Sequence, residues 1–308
     1  MSNTCFIIPV FNAAKYIPQF FKNVVEISSN EVFVFVNDGS FDNSLIILQN
    51  AAENNKNVYI VDKTVNEGQS VARNDGIDFV LSLNQSITHV GFLDIDDTVT
   101  PDYFCDLDCL DLDKVYVKTF CSVSSRGDLV LDNHFDIDRF NVIMGHDFLE
   151  LLVLWKATVS ACNKIMPIET LPRFVEDTKE EDTIFMFDLA CRNPIFVKSG
   201  YGSYKYHRHE QTSTAIVDIR LFDLFYVLMA IKEILCRANK LLLFSKFRRY
   251  WLNVVLSDRL SKASFSFRFI VLCAFLFDEK IDFGMKQFLW FLLKSSYLSM
   301  KRKLANEK

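Results

Sequence analysis

Apolar residues fall in short unbroken runs along the first hundred positions, each closed by a polar break. Cys5-Phe6-Ile7-Ile8-Pro9-Val10-Phe11 ends at Asn12, and Val32-Phe33-Val34-Phe35-Val36 ends at Asn37-Asp38-Gly39-Ser40. Val58-Tyr59-Ile60-Val61 leads into the loop Asn66-Glu67-Gly68-Gln69-Ser70. Between the runs lie helical stretches: Ala13 to Ile27, Ser44 to Glu53, and a helix carrying Ala72-Arg73-Asn74. Short runs rich in β-branched and aromatic residues, alternating with helices of about 10 to 15 residues, predict βαβ units and a parallel sheet. Ligands bind outside the carboxyl ends of such strands. Asn12, Asp38, the 66–70 loop and the acidic run Asp94-Ile95-Asp96-Asp97, which follows Gly91-Phe92-Leu93, are therefore expected along one edge.

Three carboxylates in four residues behind a buried strand suit a hard divalent cation, which prefers oxygen ligands and leaves positions open for phosphate oxygens. An acidic turn exposed to solvent is the competing reading of the same residues.

Taken together, Ile8-Pro9-Val10-Phe11-Asn12, Val36-Asn37-Asp38-Gly39-Ser40, Asn66-Glu67-Gly68 with Ala72-Arg73-Asn74, and Phe92-Leu93-Asp94-Ile95-Asp96-Asp97 resemble, in order and spacing, the family-2 glycosyltransferases. The likeness continues more weakly through Cys162-Asn163-Lys164-Ile165, Glu180-Glu181-Asp182 and Tyr206-His207-Arg208-His209-Glu210, with His207 where the family often has Arg. The resemblance implies a GT-A (Rossmann-like) nucleotide-sugar-binding domain of mostly parallel α/β architecture. It also implies a UDP-sugar donor, inversion at the sugar, transfer of the hexosyl or N-acetylhexosaminyl type, and a place in bacterial surface-polysaccharide synthesis.

With 308 residues, half of them apolar, the chain has enough to bury a sizeable core. Its charge divides unevenly. Residues 231–308 hold 16 Lys and Arg against 6 Asp and Glu, a net of +10, while residues 1–230 hold 18 against 33, a net of −15. The expected organisation is a glycosyltransferase domain over 1–215 and a basic amphipathic helical region over 216–308. That region, rich in Leu, Phe and Trp, either lies on an anionic membrane surface or packs as a bundle on the domain or on another subunit. Nucleic acid is not an expected partner, because the acidic body repels phosphate backbones. The eight scattered cysteines read as buried thiols in a reducing compartment. The N terminus lacks a signal-peptide pattern and no run reaches the ~18 apolar residues of a spanning helix. A cytoplasmic protein is expected, at most peripheral on the membrane.

On the family's pattern each cluster acquires a role. Asp96 is the expected ligand of Mn²⁺ or Mg²⁺, with His209 as a further ligand, and Asp94 lies nearer the ribose. Asp97 binds water around the metal, orients the loop or caps the following turn. Asp38 accepts the ring N–H of a uracil-like base, Pro9 and Phe11 wall the slot, and Asn12 pins its loop. Asn66 and Gly68 border the donor, and Arg73 reaches base or phosphates. Deprotonating the acceptor hydroxyl calls for a carboxylate. Asp182 is the expected base, ahead of an apolar helical run whose N terminus favours the ionised form, with Glu181 behind it. The acceptor is expected to be a glycan or lipid-linked glycan. The competing function is a catalytically silent nucleotide-sugar-binding subunit serving a partner. A nucleotidyltransferase fits less well, since the Gly-rich, Lys- and Arg-bearing N-terminal loop for a triphosphate is missing. The acidic run Asp102, Asp106, Asp108, Asp111 and Asp113 reads as a solvated face.

Overall fold

The apolar runs form one side of a single ten-stranded sheet in the computed structural model. Residues 4–254 are described, apart from 29, 84–85, 125–126, 132–140, 155, 177, 179, 194 and 208–220. Strands β1 (Thr4–Val10), β2 (Val32–Asp38), β3 (Val58–Lys63) and β4 (His89–Phe92) are mutually parallel, in the order β3-β2-β1-β4. Helices α2 (Ser44–Glu53) and α3 (Gln69–Ser82) provide crossovers. The stretch from Ala13 to Ile27 is shorter in helix than expected: α1 spans Ile17–Phe20 and continues as a π-turn through Val25. Strands β1 and β2 are buried almost throughout, which is why they read as continuous apolar runs rather than alternating ones.

Past β4 the sheet becomes mixed. It continues through β9 (Lys164–Pro167), β6 (Lys114–Val123), β10 (Ile195–His207) and the short β5 (Thr98–Val99), with β9 antiparallel to both β4 and β6. Strands β7 (Leu129–Leu131) and β8 (Val142–Met144) pair with β6 and β10. Helices α4 (Gly145–Val153) and α5 (Glu181–Arg192) cover this half. Helices α6 (Leu221–Arg237) and α7 (Leu241–Val254) follow.

Of the basic region, residues 221–254 show packing on the body. Val227, Leu228, Ile231, Leu235 and Phe247 are buried in the same core cluster as the sheet, and the Phe247 ring meets that of Phe187 on α5 at 5.0 Å. No helix among the described residues is long and apolar enough to cross a membrane. Residues 255–308 lie outside the described residues. The cysteines are less uniform than expected: Cys5, Cys121 and Cys162 are buried thiols, whereas Cys105, Cys109 and Cys236 are exposed.

Helix α3 determines where the polar edge sits. Its buried positions Ala72, Arg73, Gly76, Ile77 and Val80 recur at helical period and face β1 and β2. Gly76 permits the close approach, since a Cβ there would lie 2.4 Å from Ile7 Cγ2 and 3.2 Å from Val36 Cγ2. Gly76→Val is expected to destabilise the chain by about 1–3 kcal/mol through overpacking, read as a lowered urea midpoint with an unchanged slope.

Candidate active site

At the carboxyl end of β1, Asn12 adopts φ +49° and ties two loops together. Its side-chain oxygen accepts from the Phe41 amide at 3.0 Å, and its own amide donates to Ser40 Oγ at 3.0 Å. Phe11 is 45% exposed beside this link and meets the 86% exposed Phe41 edge-on at 5.9 Å. Pro9 is half-buried in β1 behind them.

Asp38 closes β2, and its carboxylate is engaged with the protein itself. It accepts from the Glu67 amide at 3.1 Å and the Gly68 amide at 2.8 Å, pairs with Lys63 Nζ at 3.0 Å, and is only 3% exposed. The structure thus places Asp38 as the pin of the 66–68 loop. Gly39 allows the arrangement: at φ +66° its missing Cβ would stand 2.6 Å from the Asn66 amide nitrogen. Asn66 is exposed on that loop and Gly68 starts α3. Lys63 also pairs with Glu67 at 3.2 Å and Asp75 at 3.0 Å. Burial opposes its charge, but these carboxylates hold its pKa above the usual lysine range.

One turn into α3, the Arg73 guanidinium lies between the β4 acidic run and α5. Nη2 meets Asp94 Oδ1 at 3.1 Å, and Nη1 meets Asp182 Oδ1 at 3.2 Å and Glu181 Oε1 at 3.6 Å. The ring of Phe174 lies 5.0 Å from its Cζ. The neighbouring Asn74 fastens that ring in place, exchanging hydrogen bonds of 2.9 Å with both the amide and the carbonyl of Phe174. With a side chain 2% exposed, Arg73 reaches carboxylates here rather than an open phosphate pocket. Burial works against its charge, and Asp182 and Asp94 more than compensate, raising its pKa.

The acidic run divides its labour. Asp94 Oδ1 takes Arg73 and, at 3.1 Å, Gln69 Nε2. Asp97 turns inward, accepting from the Tyr204 hydroxyl and, at 2.7 Å, from the His207 amide, so it fastens the run to β10. Burial and the neighbouring Asp94 and Asp96 push its carboxyl up to about 9, against the pull of those two donors. Asp96 is half-buried at the carboxyl end of β4.

No group of three His, Cys, Asp or Glu side chains among the described residues forms a closed metal cage. A Mg²⁺ or Mn²⁺ completed by diphosphate oxygens and water needs only one or two carboxylates. Asp94 and Asp96 supply that number; the upward shift of Asp97 comes first from burial, and only its smaller part, from Asp94 and Asp96, is negative charge that a cation would offset. His209 lies outside the described residues. His207 sets its Nε2 against Thr98 Oγ1 at 2.8 Å.

Asp182 sits in the first turn of α5, with Glu180 at the N-cap position. Burial raises its pKa, Arg73 pulls it down and Asp94 adds to the rise. Glu181 is pushed up to about 7 by burial and by Asp182, with Arg73 opposing.

Several contributors carried no local signal in the sequence. Besides Lys63, Phe174 and Tyr204 they include Lys118, buried on β6 and held by Asp106 and by the Tyr201 carbonyl at 3.2 Å. That pairing corrects the reading of Asp106 as part of a solvated face. Its carboxylate is the counter-charge of a buried lysine and also accepts from Ser199.

Residues 5–107 match Glycosyl transferase family 2. They form a family-2 glycosyltransferase domain. The chain is similar to the minor teichoic acid biosynthesis protein GgaA of Bacillus subtilis, 23% identical over 222 residues, which make up 68% of this chain and 48% of that protein. It is also similar to an uncharacterized glycosyltransferase of Haemophilus influenzae, 26% identical over 154 residues, 48% of this chain and 60% of that one. The chain therefore spans between about half and three fifths of these relatives' lengths.

In fold it resembles S. aureus TarS 1–349 in complex with UDP-GlcNAc, at a TM-score of 0.67 and 19% identity, covering 95% of this chain and 79% of that one. The mannosyltransferase PcManGT of Pyrobaculum calidifontis, in complex with GDP-Man and Mn²⁺, is more distant at 0.52 and 14%, covering 96% of this chain and 86% of that one. The fold of the glycosyltransferase domain is thus GT-A, as its motifs led one to expect.

Two outcomes follow from the Arg73 cluster. Arg73→Met leaves Asp94, Glu181 and Asp182 facing one another without their cation, and is expected to cost about 3 kcal/mol at pH 8. The deficit should shrink as pH falls and the carboxyls protonate, as measured by urea denaturation at several pH values. Separately, Glu181 has a folded pKa near 7, above its ordinary value of 4.5, so the stability it contributes is complete below pH 4.5 and lost as pH rises through about 7. Glu181→Gln should therefore flatten the decline in wild-type stability between pH 5 and 8.

Proposed function

We propose that this chain transfers a sugar, with inversion, from a UDP-sugar to a hydroxyl of a glycan or lipid-linked glycan in bacterial surface-polysaccharide synthesis. The observation that carries the reading is the sharing of one guanidinium by Asp94, in the acidic run at the end of β4, and Asp182, at the start of α5. A carboxylate suited to proton removal thereby stands beside the expected diphosphate platform. The likeness to a teichoic acid biosynthesis protein supports the polymer class, and the UDP-GlcNAc complex of TarS supports the donor class.

In the proposed reaction, Asp182 accepts the proton of the acceptor hydroxyl as that oxygen attacks C1 of the sugar from the face opposite the leaving group. The new C1–O bond forms as the bond from C1 to the diphosphate oxygen breaks, and UDP departs with the electron pair. Burial raises the affinity of Asp182 for a proton, which improves a carboxylate as a base while Arg73 keeps it ionisable. Asp96, with Asp94 beside it, would hold the Mn²⁺ or Mg²⁺, whose charge when bound offsets that gathering on the departing diphosphate. The exposed Phe11 and the half-buried Asn12 at the end of β1, with Asn66 and Gly68 across the edge, border the donor. The net positive charge of residues 231–308 suits an acceptor presented at an anionic membrane.

Asp182→Asn is expected to cut turnover by about two to four orders of magnitude while leaving donor affinity nearly intact. Asp96→Ala should abolish transfer, and EDTA should do the same to the wild type. UDP release from UDP-GlcNAc with Mn²⁺ checks all three. Undiminished activity in EDTA would remove the metal from the reading, and parallel loss of binding and rate in Asp182→Asn would make that residue structural. A folded wild-type chain that binds UDP-GlcNAc but never releases UDP would favour a silent binding subunit.

A further inference from the structure

Lys164, the first residue of β9, has no exposed surface, yet no carboxylate forms an ion pair with it among the contacts of its ammonium group. Nζ donates to the Thr158 carbonyl at 2.9 Å, the Ser160 carbonyl at 2.6 Å and Asn163 Oδ1 at 2.7 Å. Three protons meet three oxygens, so the group is satisfied. Burial nonetheless pulls its pKa down to about 7 against the opposing pull of Asp182, and an apolar side chain would fill the space with less penalty.

The three acceptors share one feature: all lie on the segment 158–163. That segment wraps the ammonium, its Ala161–Asn163 turn packs on α5, and its Cys162 Sγ lies 4.0 Å from Arg73 Nη2. Its far end is tied to the sheet, because Asn163 Nδ2 donates to the Lys118 carbonyl at 2.7 Å. Pairing of Ile165 with Gly91, and of Lys164 with Val117, places the lysine beside the carboxyl end of β4. Asp182 is held by Arg73 on α3, and that guanidinium in turn touches Cys162 of this segment.

We propose that Lys164 is a positioning residue for the base: it folds the 158–163 segment around its ammonium so that this segment, packed on α5 and against Arg73, fixes Asp182 against the acceptor. The proposal rests on the reading of Asp182 as the base. The groups that face Asp182 are Arg73 from α3, Asp94 from the loop after β4, Glu181 from its own helix, and Ala161, Cys162 and Lys164 from the 158–164 segment. Of these, Lys164 and Ala161 favour the ionised carboxylate together with Arg73, and Asp94 disfavours it.

The test uses the full chain with UDP-GlcNAc and Mn²⁺, and compares wild type, Lys164→Met, Asn163→Ala and Asp182→Asn. Lys164→Met should lower the rate of UDP release about ten- to a hundredfold, keep the donor Kd within about threefold, and move the acid limb of the pH–rate profile to higher pH. Asn163→Ala removes one of the three acceptors and should move the same readouts less. An unchanged rate and acid limb in Lys164→Met, or donor affinity falling in step with rate, would overturn the proposal. So would loss of cooperative unfolding in both variants, which would make the lysine a pillar of the fold alone. Asp182→Asn is the reference: if it releases UDP at the wild-type rate, the base assignment itself fails, separately from the role of Lys164.

Discussion

Everything at the carboxyl edge of the sheet depends on one buried cation. Arg73 is almost fully enclosed and meets carboxylates from two distant parts of the chain, Asp94 after β4 and Asp182 on α5. A guanidinium suits this place because its planar fork serves two partners in fixed directions and stays charged when buried. Taking it out of water is worthwhile only if the partners are held too. Phe174 beneath it, Asn74 beside it and Gln69 on Asp94 meet that requirement.

The rest of the architecture brings that guanidinium to its position. Gly76 lets α3 lie close on β1 and β2, which sets the depth at which Arg73 enters. Asp38 and Lys63 secure the loop from which α3 starts. From the other side, Tyr204 and the His207 amide draw Asp97 inward, fixing the turn that displays Asp94 and Asp96. Arg73 then joins Asp94 after β4 to Asp182 on α5, and Lys164 gathers the neighbouring 158–163 segment around its ammonium.

The first four strands were legible in the sequence because their signal is local: buried runs with polar ends, spaced by helices, stand in the order the fold requires. The convergence of Asn12, Asp38, the 66–70 loop and the acidic run on one edge follows from parallel topology alone. What individual side chains do there was much less legible. Asp38 looked like a ligand acceptor and pins a loop 29 and 30 residues further on; Asp97 finds its partners 107 and 110 residues away. Asp106 looked solvated and neutralises a buried lysine on β6. For Asp38 and Asp97 a carboxylate beside a strand suits ligand binding and internal bonding equally well, and for Asp106 exposure and internal pairing look alike in sequence; only a distant partner decides. The helix after β1 was overread because Pro18 and the π-turn leave little regular α-helix between Ala13 and Ile27.

The central claim is that Arg73 stays inside the protein as the link between Asp94 and Asp182 while the donor binds outside it. A crystal structure of the full chain with UDP and Mn²⁺ tests this most directly. The account predicts the guanidinium still within hydrogen-bond distance of both carboxylates, with the diphosphate at Asp96. A guanidinium swung onto the diphosphate, with Asp182 released from it, would contradict the account.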